Sequence, residues 1–272
     1  SISPEDDFFE LGGHSLLAMQ LLAELENKFG QVLPLSILFP RANVRSMAKV
    51  LATQNEKSLR YRLVALNEQG NRPPLFCMHP VSGQVTILAT LSQTLGKDQP
   101  FYAIESNLQY PEDNLTIEEM AHNYTALIRS KQPQGPYYLA GTSMGTWVGL
   151  EIVNYLKSEG EEVAFFGVID CSPKAIEVPP AMGPDPEIDE SALLSAAVMN
   201  LTAHREGVMG IMKCFKDCST EILQAMNEAD RWQYAIDILR KNQAFGPDIP
   251  MEQITRLMRT VMTHVNSFLH YK

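Results

Sequence analysis

The chain has 272 residues, of which 45% are hydrophobic and 20% charged, as in ordinary globular proteins. Lysine and arginine number 22 against 32 aspartate and glutamate residues, so the formal charge of −10 would repel a nucleic-acid backbone. The sequence has no apolar run of transmembrane length, and its four cysteines follow no signal peptide. We therefore expect a reduced, cytoplasmic protein that binds neither nucleic acid nor membrane.

The first fifty residues carry a helical pattern. From His14 to Phe29, apolar residues recur at the spacing of one helix face. Apolar clusters at 32–39 and 44–51, separated by Pro40, predict a short helix or loop and then a last helix. So small a unit rarely supplies its own core, so we expect that a further helix precedes it in the complete domain.

A Gly-Gly-His-Ser sequence at 12–15 lies at the start of the first predicted helix. The two glycines allow a tight turn that would leave Ser15 at the helix N-terminus, where unpaired N–H groups and the helix dipole favour a phosphate. The pattern is suited to a serine that carries a phosphodiester. The alternative is that Ser15 is only a helix N-cap.

A polar, aperiodic segment at 53–58 predicts a linker, after which the pattern changes. Segments with strand signals alternate with segments with helix signals, which predicts an α/β fold with a mostly parallel sheet. The predicted strands are Leu63–Leu66, Leu75–Met78, Tyr137–Ala140 and Val163–Ile169. Helix signals follow Gly83, Thr116 and Met144.

The sequence Gly-Thr-Ser-Met-Gly at 141–145 lies between a predicted strand and a predicted helix, which is the context of a nucleophile elbow. Its glycines remove side chains that would clash in the turn and raise the hydroxyl of Ser143 into a cleft. A serine nucleophile needs a base and a carboxylate that orients the base. Asp170 follows the next predicted strand and is a candidate for that carboxylate; the alternative is a turn-forming aspartate.

An oxyanion hole needs two N–H groups aimed at the same point. One belongs to the residue after the nucleophile, which is Met144. The other belongs to the loop after an earlier strand, which is predicted at His79–Gly83, with Val81 as the donor.

The stretch Asp6–Leu17 resembles the attachment site of a thiolation, or carrier, domain, and its Gly-Gly-His-Ser form is closer to peptidyl carriers of nonribosomal peptide synthetases than to polyketide acyl carriers. The resemblance implies a small helical-bundle carrier domain at 1–52 that lacks the family's first helix. It also implies 4′-phosphopantetheine on Ser15, which would bear an acyl or peptidyl chain as a thioester. The implied partners are a phosphopantetheinyl transferase and the upstream synthetase domains of the same module.

The remainder, 59–272, resembles a type I thioesterase domain, the releasing domain of nonribosomal peptide and polyketide assembly lines. The matching motifs are Pro73–Pro80, Leu139–Gly145 and Val168–Asp170. The resemblance implies an α/β-hydrolase fold with Ser143 and Asp170 in catalysis, and a helical lid at about 174–245, with helices that begin at Glu190, Thr220 and Ala229 and a proline-rich stem. Thr146 replaces a glycine frequent in the family and is expected to alter helix packing only.

The family's catalytic histidine lies on a loop after the last strand, and no histidine of this sequence has that place. His264 and His270 fall within or at the end of a predicted helix at Ile254–Leu269 but off its apolar stripe, so we expect both on a solvated surface. His204 falls in the lid and is expected to be structural, whereas His79 belongs to the oxyanion loop. We therefore expect the base to lie beyond the last residue.

The resemblance implies that the substrate chain becomes an acyl-enzyme on Ser143 and leaves by attack of water or of an internal nucleophile, so hydrolysis and macrocyclisation both remain open. One alternative is a carrier protein joined to a catalytically silent hydrolase-like domain. Another is an unrelated esterase or acyltransferase with a chance helical appendage. No metal site is expected, because Cys214 and Cys218 have no further cysteine nearby and are predicted to be packing residues.

Overall fold

The structure of the protein is a computed structural model. It describes residues 2–13, 15–29, 35–38, 42–53, 60–106, 114–171, 188–246 and 249–271. The contacts divide the chain into two compact units. The first comprises Ser1–Asn107 and Ile117–Cys171, and the second comprises Leu108–Thr116 and Ser172–Lys272.

The N-terminal part of the first unit is helical, as predicted. It contains α1 (Ser15–Phe29), a 3-10 helix (Leu35–Leu38) and α2 (Val44–Thr53). These elements share one apolar cluster, whose buried members are Ala18, Leu22, Ile37, Leu38, Ala42 and Met47. Ala18 and Leu22 of α1 are both buried in this cluster, so α1 has the single buried face that its apolar spacing predicts. Apart from the last residue of α2, the predicted linker at 53–58 lies outside the described residues.

The rest of the first unit is built on a five-stranded sheet. Its strands are β1 (Tyr61–Asn67), β2 (Leu75–Met78), β3 (Phe101–Ser106), β4 (Tyr137–Thr142) and β5 (Val163–Ile169). They lie in the order β1-β3-β2-β4-β5, with β1 antiparallel to β3 and the other neighbours parallel. The predicted α/β fold with a mostly parallel sheet is confirmed. β3 was not among the predicted strands, although all six of its residues are buried.

Helices α3 (Leu88–Leu95), α4 (Ile117–Lys131) and α5 (Gly145–Ser158) belong to the same unit. α5 packs against β2, β4 and β5 as well as against α4. Its buried face contains Val148, Ile152 and Leu156, spaced four residues apart, so one side of the helix contacts the sheet along its length. This packing fixes the start of α5 above the carboxyl edge of the sheet.

The described part of the second unit is mainly helical. It contains α6 (Glu190–Asp217), α7 (Thr220–Gln224), α8 (Glu228–Lys241) and α9 (Met251–Leu269). The three predicted lid helices begin at or within one residue of their predicted starts, whereas α9 begins three residues before the predicted start at Ile254. α9 packs against α6 and α8, which extends the helical unit beyond the predicted lid end at 245. The predicted proline-rich stem lies outside the described residues. No described helix is both long and apolar enough to cross a membrane.

The prediction that His264 lies on a solvated surface is wrong, because its side chain is fully buried. The buried arc of α9 is wider than its apolar stripe. The hydroxyls of Thr260, Thr263 and Ser267 donate to backbone carbonyls one turn earlier, at 3.1, 3.0 and 2.9 Å, so these polar residues keep a hydrogen bond when buried. His270 is exposed, as predicted.

Among the remaining lid residues with a predicted role, the structure describes the side chain of Cys218. Cys218 is buried, and its backbone carbonyl accepts a hydrogen bond from the hydroxyl of Ser195 at 2.7 Å. Burial of this kind fits the packing role expected for Cys218. The side chains of His204 and Cys214 lie outside the described residues.

Candidate active site

Ser143 lies in the tight turn between β4 and α5 and has a φ of +50°, in the left-handed region. This conformation costs about 1–3 kcal/mol for a residue other than glycine and persists only where the surroundings enforce it. The N–H of Ser143 donates to the carbonyl of Ile169 at 2.9 Å, and the N–H of Thr146 donates to the carbonyl of Ser143 at 3.0 Å. Ser143 is therefore held in the strained geometry of a nucleophile elbow, with its side chain half-buried.

The glycines on either side of the serine are required by close backbone packing. A Cβ atom on Gly141 would collide with the backbone of Gly145. A Cβ atom on Gly145 would collide with the carbonyl groups of Met78 and His79 at the end of β2. The elbow therefore sits directly against the loop that follows β2.

Thr146 does more than the sequence predicted. It is buried, and its hydroxyl donates to the carbonyl of Gly141 at 3.0 Å. This bond joins the end of β4 to the first turn of α5 across the elbow. Thr146 therefore supports the turn, in addition to packing within the helix.

Asp170 directly follows β5, as Ser143 directly follows β4. The register of these parallel strands pairs Thr142 with Ile169, so each candidate catalytic residue comes directly after a paired residue. Asp170 also has a φ of +50°, and it is exposed. The structure thus brings Ser143 and Asp170 to the same edge of the sheet on neighbouring strands.

The predicted oxyanion loop follows β2 and forms a tight turn. The N–H of Gly83, whose φ is +76°, donates to the carbonyl of Pro80 at 2.8 Å. The carbonyl of Gly83 in turn accepts from the N–H of Ser106 at 3.0 Å, which ties the loop to the end of β3. Val81 lies inside this turn, while Met144 is the N-cap of α5. The two predicted donors therefore lie on backbone segments that pack against each other through Gly145 and the end of β2.

His79 lies at the base of this loop and is fully buried. Its Nδ1 is 2.7 Å from the carbonyl oxygen of Pro80, and its Nε2 is 2.6 Å from the hydroxyl of Tyr124. A carbonyl can only accept, so Nδ1 carries the proton and Nε2 accepts from the tyrosine. Burial lowers the pKa of His79 from its usual 6.5 to about 4, so the ring is neutral near pH 7. With both nitrogens engaged, His79 is not placed to act as the base, as expected from its position in the loop.

No local sequence signal links Tyr124 to the site, because helical periodicity marks it only as a core residue of α4. In the structure it is fully buried and hydrogen-bonds to both His79 and the side chain of Ser106. Burial raises the pKa of Tyr124 well above its usual value, so its hydroxyl remains a proton donor.

The second candidate functional serine is Ser15, the predicted attachment point of the pantetheine arm. Ser15 is the first residue of α1, and Gly12 in the preceding turn has a φ of +95°. The N–H of Gly13 donates to the carbonyl of Phe8 at 2.8 Å, and the carboxylate of Asp7 accepts from the N–H of Phe9 at 2.8 Å. The first turn of α1 contains no acidic residue, so its positive end fits a phosphodiester. The side chain of Ser15 itself lies outside the described residues.

Comparison with known families gives two matches, a phosphopantetheine attachment site over residues 1–51 and a thioesterase domain over residues 73–230. A dimodular nonribosomal peptide synthase of Bacillus subtilis (strain 168) is 34% identical over 222 residues, which cover 81% of this chain and 9% of the relative. Chondramide synthase cmdD of Chondromyces crocatus is 31% identical over 286 residues, which cover 97% of this chain and 7% of the relative.

Among solved structures, a holo four-domain nonribosomal peptide synthetase bound to AMP and glycine aligns with the whole chain, with a TM-score of 0.66 and 25% identity, over 20% of its own length. The chain spans less than a tenth of the length of the two curated relatives named above. The chain therefore belongs to the thioesterase domain family, and its thioesterase domain follows a carrier domain that takes covalently attached 4′-phosphopantetheine, as in nonribosomal peptide assembly lines.

Proposed function

We propose that this chain releases an acyl or peptidyl chain from an assembly line through an acyl-enzyme on Ser143, with Ser15 as the attachment point of the pantetheine arm. When bound, that arm supplies a thiol that holds the substrate as a thioester. Release occurs by attack of water or of a nucleophile within the substrate. The proposal covers both hydrolysis and macrocyclisation.

The observation that carries this proposal is the strained backbone of Ser143 beside Asp170. A serine with a φ of +50° costs stability, and here the hydrogen bond to Ile169 fixes it next to the strand that ends in the acid. A catalytically silent domain has no use for this strain. The elbow therefore supports a working nucleophile.

In the proposed reaction the hydroxyl of Ser143 attacks the thioester carbonyl carbon and gives its proton to a histidine base. The N–H groups of Val81 and Met144 donate to the oxyanion that develops. Collapse of the tetrahedral intermediate breaks the C–S bond, and the base passes its proton to the leaving thiolate. Asp170 orients the base and stabilises its protonated form.

We propose that the base comes from sequence that follows Lys272. Among the described histidines of the first unit, His79 uses one ring nitrogen on the carbonyl of Pro80 and the other on the hydroxyl of Tyr124. His122 is exposed and packs edge-on against the ring of Tyr155.

The proposed partners are a phosphopantetheinyl transferase and the upstream synthetase domains of the same module. Leu11 and Leu17, on either side of Ser15 in sequence, are 57% and 41% exposed, so the attachment site has apolar surface available for a protein partner. We also propose a reduced, cytoplasmic location, in keeping with Cys77, Cys171 and Cys218, none of which forms a disulfide in the described part of the chain.

The nucleophile is tested by covalent labelling with a fluorophosphonate probe in a chain extended past Lys272. We expect rapid labelling of the parent and none in the Ser143→Ala variant. The matched control is Ser158→Ala, because Ser158 is an exposed serine at the opposite end of α5. Labelling that persists in Ser143→Ala, or that fails in the control, would contradict the assignment.

A further inference from the structure

The carbonyl oxygen of Pro80 accepts two hydrogen bonds within one loop. One comes from Nδ1 of His79 at 2.7 Å and the other from the N–H of Gly83 at 2.8 Å. This carbonyl and the N–H of Val81 belong to the same peptide group. Hydrogen bonds to an amide oxygen draw electron density from the amide nitrogen and so strengthen its N–H as a donor.

We infer that His79 and Tyr124 are positioning residues that fix and polarise the Pro80–Val81 peptide, and thereby strengthen Val81 as an oxyanion donor. The inference rests on the proposed function, in which the N–H of Val81 faces the oxyanion. His79 touches neither the nucleophile nor the substrate in this account. It acts through the peptide that it holds.

A closed set of hydrogen bonds supports this role. Ser106 bonds to Tyr124 through its side chain, Tyr124 donates to His79, and His79 donates to the loop. The backbone N–H of Ser106 donates to the carbonyl of Gly83 in the same loop, at 3.0 Å. The loop is therefore tied to α4 and to β3 at once, which limits rotation of the peptide that carries Val81.

Burial makes this set rigid. His79 and Tyr124 are fully buried, and Ser82 and Ser106 are no more than 4% exposed. Hydrogen bonds in such surroundings are stronger than in water and reinforce one another when they form a chain. The neutral histidine keeps one donor and one acceptor near pH 7, because burial lowers its pKa to about 4.

Two substitutions of His79 separate its two nitrogens. In His79→Asn, the side-chain amide can replace the Nδ1 donor to Pro80 but does not reach Tyr124. In His79→Gln, the longer side-chain amide can accept from Tyr124 in place of Nε2, but the hydrogen bond to the carbonyl of Pro80 is lost. The two variants remove the same ring and differ in which hydrogen bond they retain, so each serves as the control for the other.

The first readout is the hydrolysis of a free acyl thioester by a chain extended past Lys272. We expect kcat to fall about tenfold in His79→Gln with KM nearly unchanged, because the N–H matters most when the oxyanion forms; the loss of a complete oxyanion donor costs about 10²- to 10³-fold. His79→Asn is expected to lose no more than about threefold. Equal losses in the two variants would overturn the inference.

The second readout needs no turnover and uses the 272-residue chain with ¹⁵N-labelled valine. The amide proton resonance of Val81, assigned from its disappearance in Val81→Ile, should move upfield in His79→Gln and in Tyr124→Phe, and less in His79→Asn. Tyr124→Phe keeps the inference testable if His79→Gln does not fold. A Val81 resonance that stays in place in the folded variants would overturn it.

Thr125→Ala is the control for a merely structural effect. Thr125 adjoins Tyr124 on α4, is buried, and donates to the carbonyl of Ala121 at 2.8 Å, so the change removes a buried hydrogen bond without touching the loop. It should lower the melting temperature while kcat and the Val81 resonance stay at parent values. A loss of kcat equal to that of His79→Gln would show that His79 acts only through stability.

Ser143→Ala separates this inference from the proposed function. If Ser143→Ala abolishes turnover but His79→Gln retains the parent kcat, the positioning role is wrong and the proposed function stands. If Ser143→Ala leaves turnover intact, the proposed function is wrong, and the Val81 resonance then decides whether the peptide is polarised by His79.

Discussion

Each of the two functional serines of this chain lies two residues after a glycine and at or just before the start of a helix, yet their backbones differ. At the attachment site, Gly12 takes the positive φ of +95° and Ser15 begins α1 as an ordinary helical residue. At the elbow, Ser143 itself has the positive φ, and its N–H donates a hydrogen bond to the carbonyl of Ile169 on the neighbouring strand. A carrier serine needs access and a helix N-terminus, whereas a nucleophilic serine needs a rigid support with a carboxylate on the next strand.

The largest effect is expected at the attachment site. Ser15→Ala should abolish the mass gain that follows treatment with a phosphopantetheinyl transferase and coenzyme A, because the hydroxyl that forms the phosphodiester is gone. Hydrolysis of free thioesters should be unchanged, since Ser143 lies on a different domain. Intact-mass spectrometry and a thioester assay measure both. If Ser15→Ala still gains the mass of the arm, Ser15 is not the attachment point.

The second effect concerns the base. The 272-residue chain should hydrolyse acyl thioesters far more slowly than a chain extended past Lys272, because Asp170 can orient a histidine but cannot replace one. A site without one member of its triad typically keeps about 10³- to 10⁴-fold acceleration over water from the oxyanion hole and binding. Rates are compared after circular dichroism confirms that both chains fold. Equal rates would place the base within the 272 residues.

Glycine substitutions sharpen the comparison between the two turns. Gly145→Ala should reduce thioester hydrolysis by more than about 10²-fold, because the new Cβ collides with backbone at the end of β2 and displaces the oxyanion loop. Gly12→Ala is the matched control, since its Cβ meets nothing within 4 Å and only its positive φ is penalised, at about 1 kcal/mol.

The readouts for this pair are hydrolysis, loading of the arm and thermal unfolding. Gly12→Ala should keep hydrolysis and still accept the arm, with a slightly lower melting temperature. If Gly145→Ala keeps the parent rate, the close approach of the elbow to the β2 loop is not needed for activity.

The last effect is on stability rather than on catalysis and concerns His79. Its pKa is about 4 in the folded protein against 6.5 in the unfolded chain, so the unfolded state binds the proton first as the pH falls. The contribution of neutral His79 to the free energy of unfolding is complete above pH 6.5. It should decline by about 3 kcal/mol as the pH falls to 4. Denaturant unfolding at several pH values measures it. In His79→Gln the decline should be smaller by this amount, and an identical decline would show that His79 is not buried in its neutral form.

Much of the fold could be predicted from local sequence patterns. The ends of β5 and the start of α6 at Glu190 agree with the sequence prediction, because an apolar run and a helix start leave local signals. β3 was missed because its apolar run ends after Ile104, at Glu105 and Ser106, although both of these polar residues are buried in the structure. His264 was misplaced because an apolar stripe does not show which polar residues are buried with it.

Some residues of the candidate site likewise have a local sequence signal, whereas others do not. Ser143 and Asp170 could be proposed from glycine spacing and strand order, which are local features of the sequence. The bond between His79 and Tyr124 joins residues 45 positions apart and has no local signal. Such contacts depend on how α4 packs beside the sheet, so only the structure reveals the support behind the oxyanion loop.

Peptide mapping after double labelling tests the central claim, that the two serines have separate chemistry. A chain extended past Lys272 is treated with a phosphopantetheinyl transferase and coenzyme A, then with a fluorophosphonate probe, and its digest is analysed by mass spectrometry. We expect phosphopantetheine on the peptide that contains Ser15 and phosphonate on the peptide that contains Ser143. Phosphonate on any other residue, or both groups on one serine, would contradict it.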